Sequence, residues 1–178
     1  MRPIVRSATA ADAAACVGIY RPYVLNTVVT FESEVPSVEE MAARNLAARV
    51  MHEWLVLEVN GVVAGYAYAQ QFNPRAAYQW SVETTVYIAP DHLRMGGGGM
   101  LHAELLGRLA RRGYRRAFAG IAQPNEASNA LHRAFGFRPV GRYQRVGWKQ
   151  GAWHDVHWWQ LHLIAPAHEV DPPAKIRR

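Results

Sequence analysis

The run EWLVLEV, the dipeptide Asn60-Gly61 and the run VVAGYAYAQQF limit the architecture more than any other stretch of this 178-residue chain. Two strand-like runs separated by two residues that accept positive φ predict a tight β-hairpin, so at least two neighbouring strands are antiparallel. Further along, QWSVETTVYI reads as a strand reaching Pro90. Four consecutive glycines, Gly96 to Gly99, and a helix over Gly98–Arg112 follow it directly. Strand-helix-strand units and hairpins in one chain predict an α/β fold with a mixed, partly antiparallel sheet flanked by helices.

The remaining elements fit this plan. PIVRSAT reads as a first strand, and Thr9 with Asp12 opens a helix through about Leu25. NTVVTFESEVPS is expected as a long functional loop. Ser37 and Glu40 form a second capping box, opening a helix expected to turn Met41, Leu46 and Val50 inward. RRAFAGIA reads as a strand, PNEASNALHRAFGF as a helix closed by Gly136, and the segment from Pro139 as a last strand pair turning near Gly151. We expect a single domain over residues 1–164 and a loose C-terminal tail over 165–178.

Composition narrows the function classes. No apolar run is long enough for a membrane span or a signal peptide, so a soluble, cytoplasmic protein without membrane partners is expected. The single cysteine, Cys16, cannot form an internal disulfide and is expected to pack in the core. The net charge of +6 is unevenly placed: residues 94–149 hold 11 Lys/Arg against 2 Asp/Glu, whereas residues 1–93 hold 6 against 9. A basic block beginning at a glycine loop favours a polyanionic small molecule there, and nucleic acid is suggested by charge alone. His154 and His157 point to opposite faces of a strand, and no metal site is expected. The tryptophans around Trp148, Trp153, Trp158 and Trp159 are expected in core and an interface.

The glycine loop is neither a Walker A loop, since Met100 and Leu101 follow its last glycine, nor a G-x-G-x-x-G dinucleotide fingerprint. What remains is a strand, a short arginine-containing loop and a helix whose N-terminal amides meet a pyrophosphate. Here the chain resembles the GNAT superfamily of N-acyltransferases, whose acetyl-CoA loop reads Gln/Arg-x-x-Gly-x-Gly/Ala. One register places Gly96 and Gly98 in the glycine positions and Leu93 where Gln or Arg is usual; another uses Arg94, Gly97 and Gly99. QWSVETTVYIAPDHLRMG, QPNEASNALHRAFGF and VGWKQGAWHDVHWWQ together resemble the phosphinothricin N-acetyltransferase branch, from about Ile4 to Leu163.

The resemblance implies a GNAT-type fold with splayed central strands, acetyl-CoA as cosubstrate, and a homodimer. It implies direct acetyl transfer to the α-amino group of a small amino acid analogue of the phosphinothricin, methionine sulfone or methionine sulfoximine class. Acetylation of another amine or a peptide N-terminus, and a non-catalytic acyl-CoA-binding module, are the alternatives. Glu83 is implied as general base and His132 as the residue that protonates the thiolate. The backbone of Val86, Tyr87 and Ile88, the loop Arg94, Met95, Gly96, Gly97, Gly98 and Gly99, and Asn125 are implied to hold the coenzyme. Arg75 is implied to hold the acceptor's acidic group, with Tyr78, Phe31 and Tyr23 lining the same cavity.

Overall fold

In the computed structural model, which describes residues 2–165, 168 and 175–177, one seven-stranded sheet runs in the order β1-β2-β3-β4-β5-β7-β6. Its strands are β1 (Ile4–Ser7), β2 (Trp54–Val59), β3 (Val62–Gln71), β4 (Ser81–Ile88), β5 (Arg116–Ala122), β6 (Arg138–Lys149) and β7 (Ala152–His162). All neighbours are antiparallel except β4 and β5. The helices are α1 (Ala13–Asn26), α2 (Val38–Met51), α3 (Gly97–Arg112) and α4 (Glu126–Ala134).

The expected hairpins form for the expected reason. Asn60 and Gly61 take φ of 51° and 80° between β2 and β3, and Gln150 and Gly151 take 50° and 76° between β6 and β7. Such two-residue turns match the twist of the strands they join. Both capping boxes also form: the Thr9 amide donates to the Asp12 carboxylate at 2.7 Å, and the Ser37 amide donates to Glu40 at 2.7 Å. The first box opens a 3-10 turn over Ala10–Asp12 that runs on into α1.

The two faces of the sheet carry separate cores. Val82, Ile88, Leu101, Leu105 and Leu109 pack on the α3 side, while Tyr66, Tyr87, Trp54, Val24 and Met41 pack on the α1/α2 side. Buried Cys16 belongs to the second core, and burial pushes its thiol up to about 12, which suits packing and not nucleophilic chemistry.

One face assignment needs correction. Leu46 and Val50 are 60% and 57% exposed, and the inner stripe of α2 is Met41, Asn45 and Ala48. These positions lie four and seven residues apart, the true helical stripe, whereas Leu46 and Val50 fall five and nine residues beyond Met41. Buried Asn45 takes an inward place because its side-chain amide donates to the Thr9 carbonyl at 3.0 Å. Of the tryptophans, Trp54 and Trp159 are buried, while Trp148 and Trp153 meet edge-on at the exposed end of the β6–β7 hairpin.

Most of the C-terminal segment, expected as a loose tail, lies outside the described residues. Within its described part, Ile176 packs against the α3-side core and the Arg177 amide donates to the Arg112 carbonyl at 2.8 Å. Among the described residues, no helix is long and apolar enough to cross a membrane.

Candidate active site

The site begins as a defect in the sheet. β4 and β5 pair only over Ser81–Glu83 and Arg116–Phe118, and beyond them both strands continue without pairing to each other. The hydroxyl of Thr84 donates to the Phe118 carbonyl at 3.3 Å as the strands begin to part. Backbone alternation decides which groups face the gap. The Ala89 amide donates to Ala64, in the register that pairs Ile88 with Gly65, so the odd-numbered residues of β4 give their backbone to β3. Val86 and Ile88 therefore direct their N–H groups across the split. The amide of Tyr87 is turned toward β3, and what Tyr87 gives the cavity is its ring. The Tyr23 hydroxyl donates to the Ile88 carbonyl at 2.6 Å, fixing the end of the opened strand.

A cavity of about 1040 Å³ passes through this gap and joins the two faces of the sheet. On the α3/α4 side it is lined by Leu93, Gly98, Asn125, Ser128 and His132. On the α1/α2 side it is lined by Tyr20, Tyr23, Phe31, Glu32, Arg44 and Tyr68. Glu83 is on this second side because it shares a strand face with Thr85 and Tyr87.

Glu83 is half-buried, and Gln70 donates to its Oε2 at 3.3 Å. Burial raises its carboxyl above the ordinary range, with the Gln70 hydrogen bond partly opposing. His132 is buried on α4, with Nδ1 2.8 Å from the Ser128 carbonyl. A carbonyl can only accept, so Nδ1 carries the hydrogen and the neutral ring leaves Nε2 as a lone pair. Nε2 has no protein partner among the described residues, and burial lowers the ring's pKa. In this state Nε2 accepts, and it must first gain a proton before it can donate one.

The glycines divide their work. Gly96, at φ +80°, is the N-cap of α3, and Arg94 beside it also takes a positive φ of 61°. Gly97 is buried, and a Cβ there would lie 2.5 Å from Leu57 Cδ2, so its role is helix-to-sheet approach. A Cβ on Gly98 would stand 3.8 Å from its nearest neighbour, and a Cβ on Gly99 4.0 Å from Phe135. The first α3 amide bonded within the helix is that of Met100, to Gly96 O, so those of Gly97, Gly98 and Gly99 are the unpaired donors of a helix N-terminus. Asn125 caps α4 by accepting from the Ser128 amide at 3.1 Å, which leaves its own NH₂ available to donate.

The structure does not bring every expected residue to the cavity. Arg75 and Tyr78 stand exposed at the 3-10 turn Ala76–Tyr78, outside the lining, and Tyr78 rests against Phe72. Arg94, Met95, Gly96, Gly97 and Gly99 also lie outside it, and only Gly98 of that loop lines it. Arg44, Glu32, Gln70 and Tyr20 are the additions. Gln70 is legible from its alternation with Tyr66 and Tyr68 on β3, whereas Arg44 follows only from the α2 stripe through Met41 and Ala48, which a phase set by Leu46 and Val50 misses. His154 Nε2 donates to the Lys149 carbonyl at 3.0 Å, and its ring packs near Phe31. Among the described residues, no group of three or more His, Cys, Asp or Glu is placed to hold a metal ion.

The family model for the acetyltransferase (GNAT) domain matches residues 5–158. The chain belongs to the GNAT acetyltransferase family. It is 40% identical, over 99% of its length and 94% of the relative's, to a phosphinothricin N-acetyltransferase of Streptomyces viridochromogenes. It is 34% identical to an L-methionine sulfoximine/L-methionine sulfone acetyltransferase of Salmonella typhimurium, covering 89% of this chain and 94% of that one. A crystal structure of a GNAT superfamily phosphinothricin acetyltransferase from Sinorhizobium meliloti, in complex with acetyl-CoA, superposes with a TM-score of 0.89 at 37% identity, with both chains fully covered. This GNAT member is accordingly an acetyl-CoA-dependent N-acetyltransferase.

Proposed function

We propose that this enzyme transfers the acetyl group of acetyl-CoA directly to the α-amino group of a small amino acid analogue of the phosphinothricin, methionine sulfone or methionine sulfoximine class. The observation that carries this reading is the cavity through the β4–β5 split. It puts Glu83 on one face and His132 with the glycine-led helix on the other, so amine and thioester approach from opposite sides.

The unpaired amides at the start of α3 suit the coenzyme's pyrophosphate, with Arg94 beside them. The register through Gly96 and Gly98 fits best, because Gly97 is committed to Leu57 and Gly98 lines the cavity. Asn125 and the opened edge of β4 suit the pantetheine arm. Glu83 takes a proton from the substrate ammonium, and its raised pKa makes it a better base than an ordinary carboxylate. The freed amine attacks the thioester carbon, and the Val86 or Ile88 amide donates to the carbonyl oxygen as it gains charge. Collapse expels the thiolate. His132 Nε2 takes up the second amine proton, by way of water, and returns it to sulfur; a lowered imidazolium pKa makes that last transfer downhill.

Phe31 and Tyr23 line the acceptor chamber, whereas Arg75 and Tyr78 stand outside it. A homodimer is part of the reading: β6 is a 12-residue edge strand with Val140, Tyr143, Val146 and Trp148 exposed, a surface that a second chain would cover. Sedimentation at micromolar concentration should give twice the chain mass. A cytoplasmic location follows from acetyl-CoA being an intracellular metabolite.

The test is thiol release from acetyl-CoA across phosphinothricin, methionine sulfone, methionine sulfoximine, ordinary amino acids and peptides. Saturable release with a tetrahedral analogue is expected. Coenzyme binding without release to any of these amines would remove the proposal.

A further inference from the structure

The acceptor side of the cavity contains an ion pair that the reaction does not use. Arg44 Nη1 lies 2.7 Å from Glu32 Oε1, and Nη2 lies 3.3 Å from Oε2, so the guanidinium fork is already spent on one carboxylate. Both residues line the cavity together with Glu83. Tyr20 and Tyr68 line the same part of the cavity, and the charges of Glu32 and Glu83 both help to hold the Tyr68 phenol protonated.

The other cations stand outside the lining. Lys149 Nζ donates to the Val24 and Thr30 carbonyls, at 2.7 Å each, with its charge near enough to Glu32 to interact with it. Arg75 stands exposed at its turn. His52 and His132 are held neutral by burial. Among the described residues lining the cavity, the acceptor side therefore sets two carboxylates against one guanidinium that is already paired, amid hydroxyls such as the Tyr20–Thr30 couple at 2.6 Å.

We infer that the Glu32–Arg44 pair selects acceptors whose side chain ends in a polar but uncharged tetrahedral group, a sulfone or sulfoximine, over those ending in an anionic phosphinate. This rests on the acetyl-transfer reading above and narrows its substrate class. A sulfone or sulfoximine needs hydrogen-bond donors, which the hydroxyls supply. A phosphinate must shed water beside Glu32, where the Arg44 fork is already paired and the Lys149 ammonium is turned to two backbone carbonyls. The α-amino and α-carboxylate groups are common to both acceptors, so their interactions cancel in the comparison. Arg44 and Glu32 are 45% and 38% exposed, so water screens the effect and a moderate ratio is expected.

The experiment compares methionine sulfone with phosphinothricin in two ways. One is kcat/KM with acetyl-CoA, and the other is calorimetric binding to the enzyme saturated with free CoA. The wild type should favour methionine sulfone in both. Glu32→Gln, which frees Arg44, should move both ratios toward phosphinothricin by about tenfold, on the scale of one partly screened charge. Arg44→Gln should move them the other way, and Glu32→Asp should restore the wild-type preference. A wild type that prefers phosphinothricin, or a Glu32→Gln variant that changes both acceptors equally, would overturn the inference. A shift in the binding ratio in an enzyme that acetylates neither acceptor would uphold the selectivity while overturning the acetyl-transfer reading.

Discussion

The imidazoles of His102 and His132 meet edge-on, with ring centroids 5.0 Å apart and planes inclined at 76°. His102 is fully buried on α3 against Phe135 and Phe137, and neither of its nitrogens has a protein partner among the described residues. Burial, reinforced by His132, pushes its pKa down to about 3, and burial also lowers that of His132. An unfolded histidine takes a proton near pH 6.5, so from there down to about pH 3 the unfolded chain binds protons that the folded chain refuses. Stability should therefore fall as pH falls through that window. His102→Leu keeps much of the volume and removes one such group. Unfolding free energies from urea titrations between pH 7 and pH 4.5 should fall less steeply for the variant, by up to about 1.4 kcal/mol per pH unit. Parallel slopes would show that His102 does not contribute.

Glu83→Gln should lower kcat by about 10²- to 10⁴-fold, the usual worth of a positioned base. The dissociation constant for acetyl-CoA should change little, because Glu83 lies on the α1/α2 side of the cavity, away from the glycine-led helix. Since burial raises its pKa, wild-type kcat/KM should fall on acidification at a pH above the ordinary carboxylate range, and this limb should vanish in the variant. Stopped-flow coenzyme binding and a pH–rate profile separate the two effects.

Gly97 and Gly98 should respond differently to alanine. Gly97→Ala drives a methyl group to within 2.5 Å of Leu57 Cδ2 and should cost about 1–3 kcal/mol of stability, read from the urea midpoint. Gly98→Ala meets nothing closer than 3.8 Å and should keep its melting temperature, while the KM for acetyl-CoA rises.

Lys149→Met removes both donors that tie the hairpin to the end of α1 and to the loop carrying Phe31. On the proposed reading the KM for the acceptor should rise several-fold and that for acetyl-CoA should not, because the loop lines the cavity on the side away from the glycine-led helix. Steady-state kinetics with each substrate varied in turn test this.

Local signals in the chain carry the elements themselves. Asn60-Gly61 sets a hairpin because its φ preferences match one turn type, and Ser37 with Glu40 starts α2 because both capping bonds are closed within four residues. The family resemblance goes further, because QWSVETTVYI, the glycine run and QPNEASNALHRAFGF keep their order and spacing. Helical phase is less legible than composition: Leu46 and Val50 are apolar like core residues, but the stripe through Met41 excludes them.

What the sequence by itself determined was the series of strands and helices, the family, and the two residues, Glu83 and His132, on which the chemistry is proposed to turn. Only the tertiary structure decided that β4 and β5 part after Glu83, that Gly97 packs while Gly98 lines the cavity, that Nε2 of His132 is an acceptor, and that Arg44 meets Glu32 in the cavity wall. The physical reason is range. Turn preferences and caps act over two to four residues, whereas a split between strands, a tautomer set by a packed helix and an ion pair 12 residues apart exist only after the chain has folded back on itself.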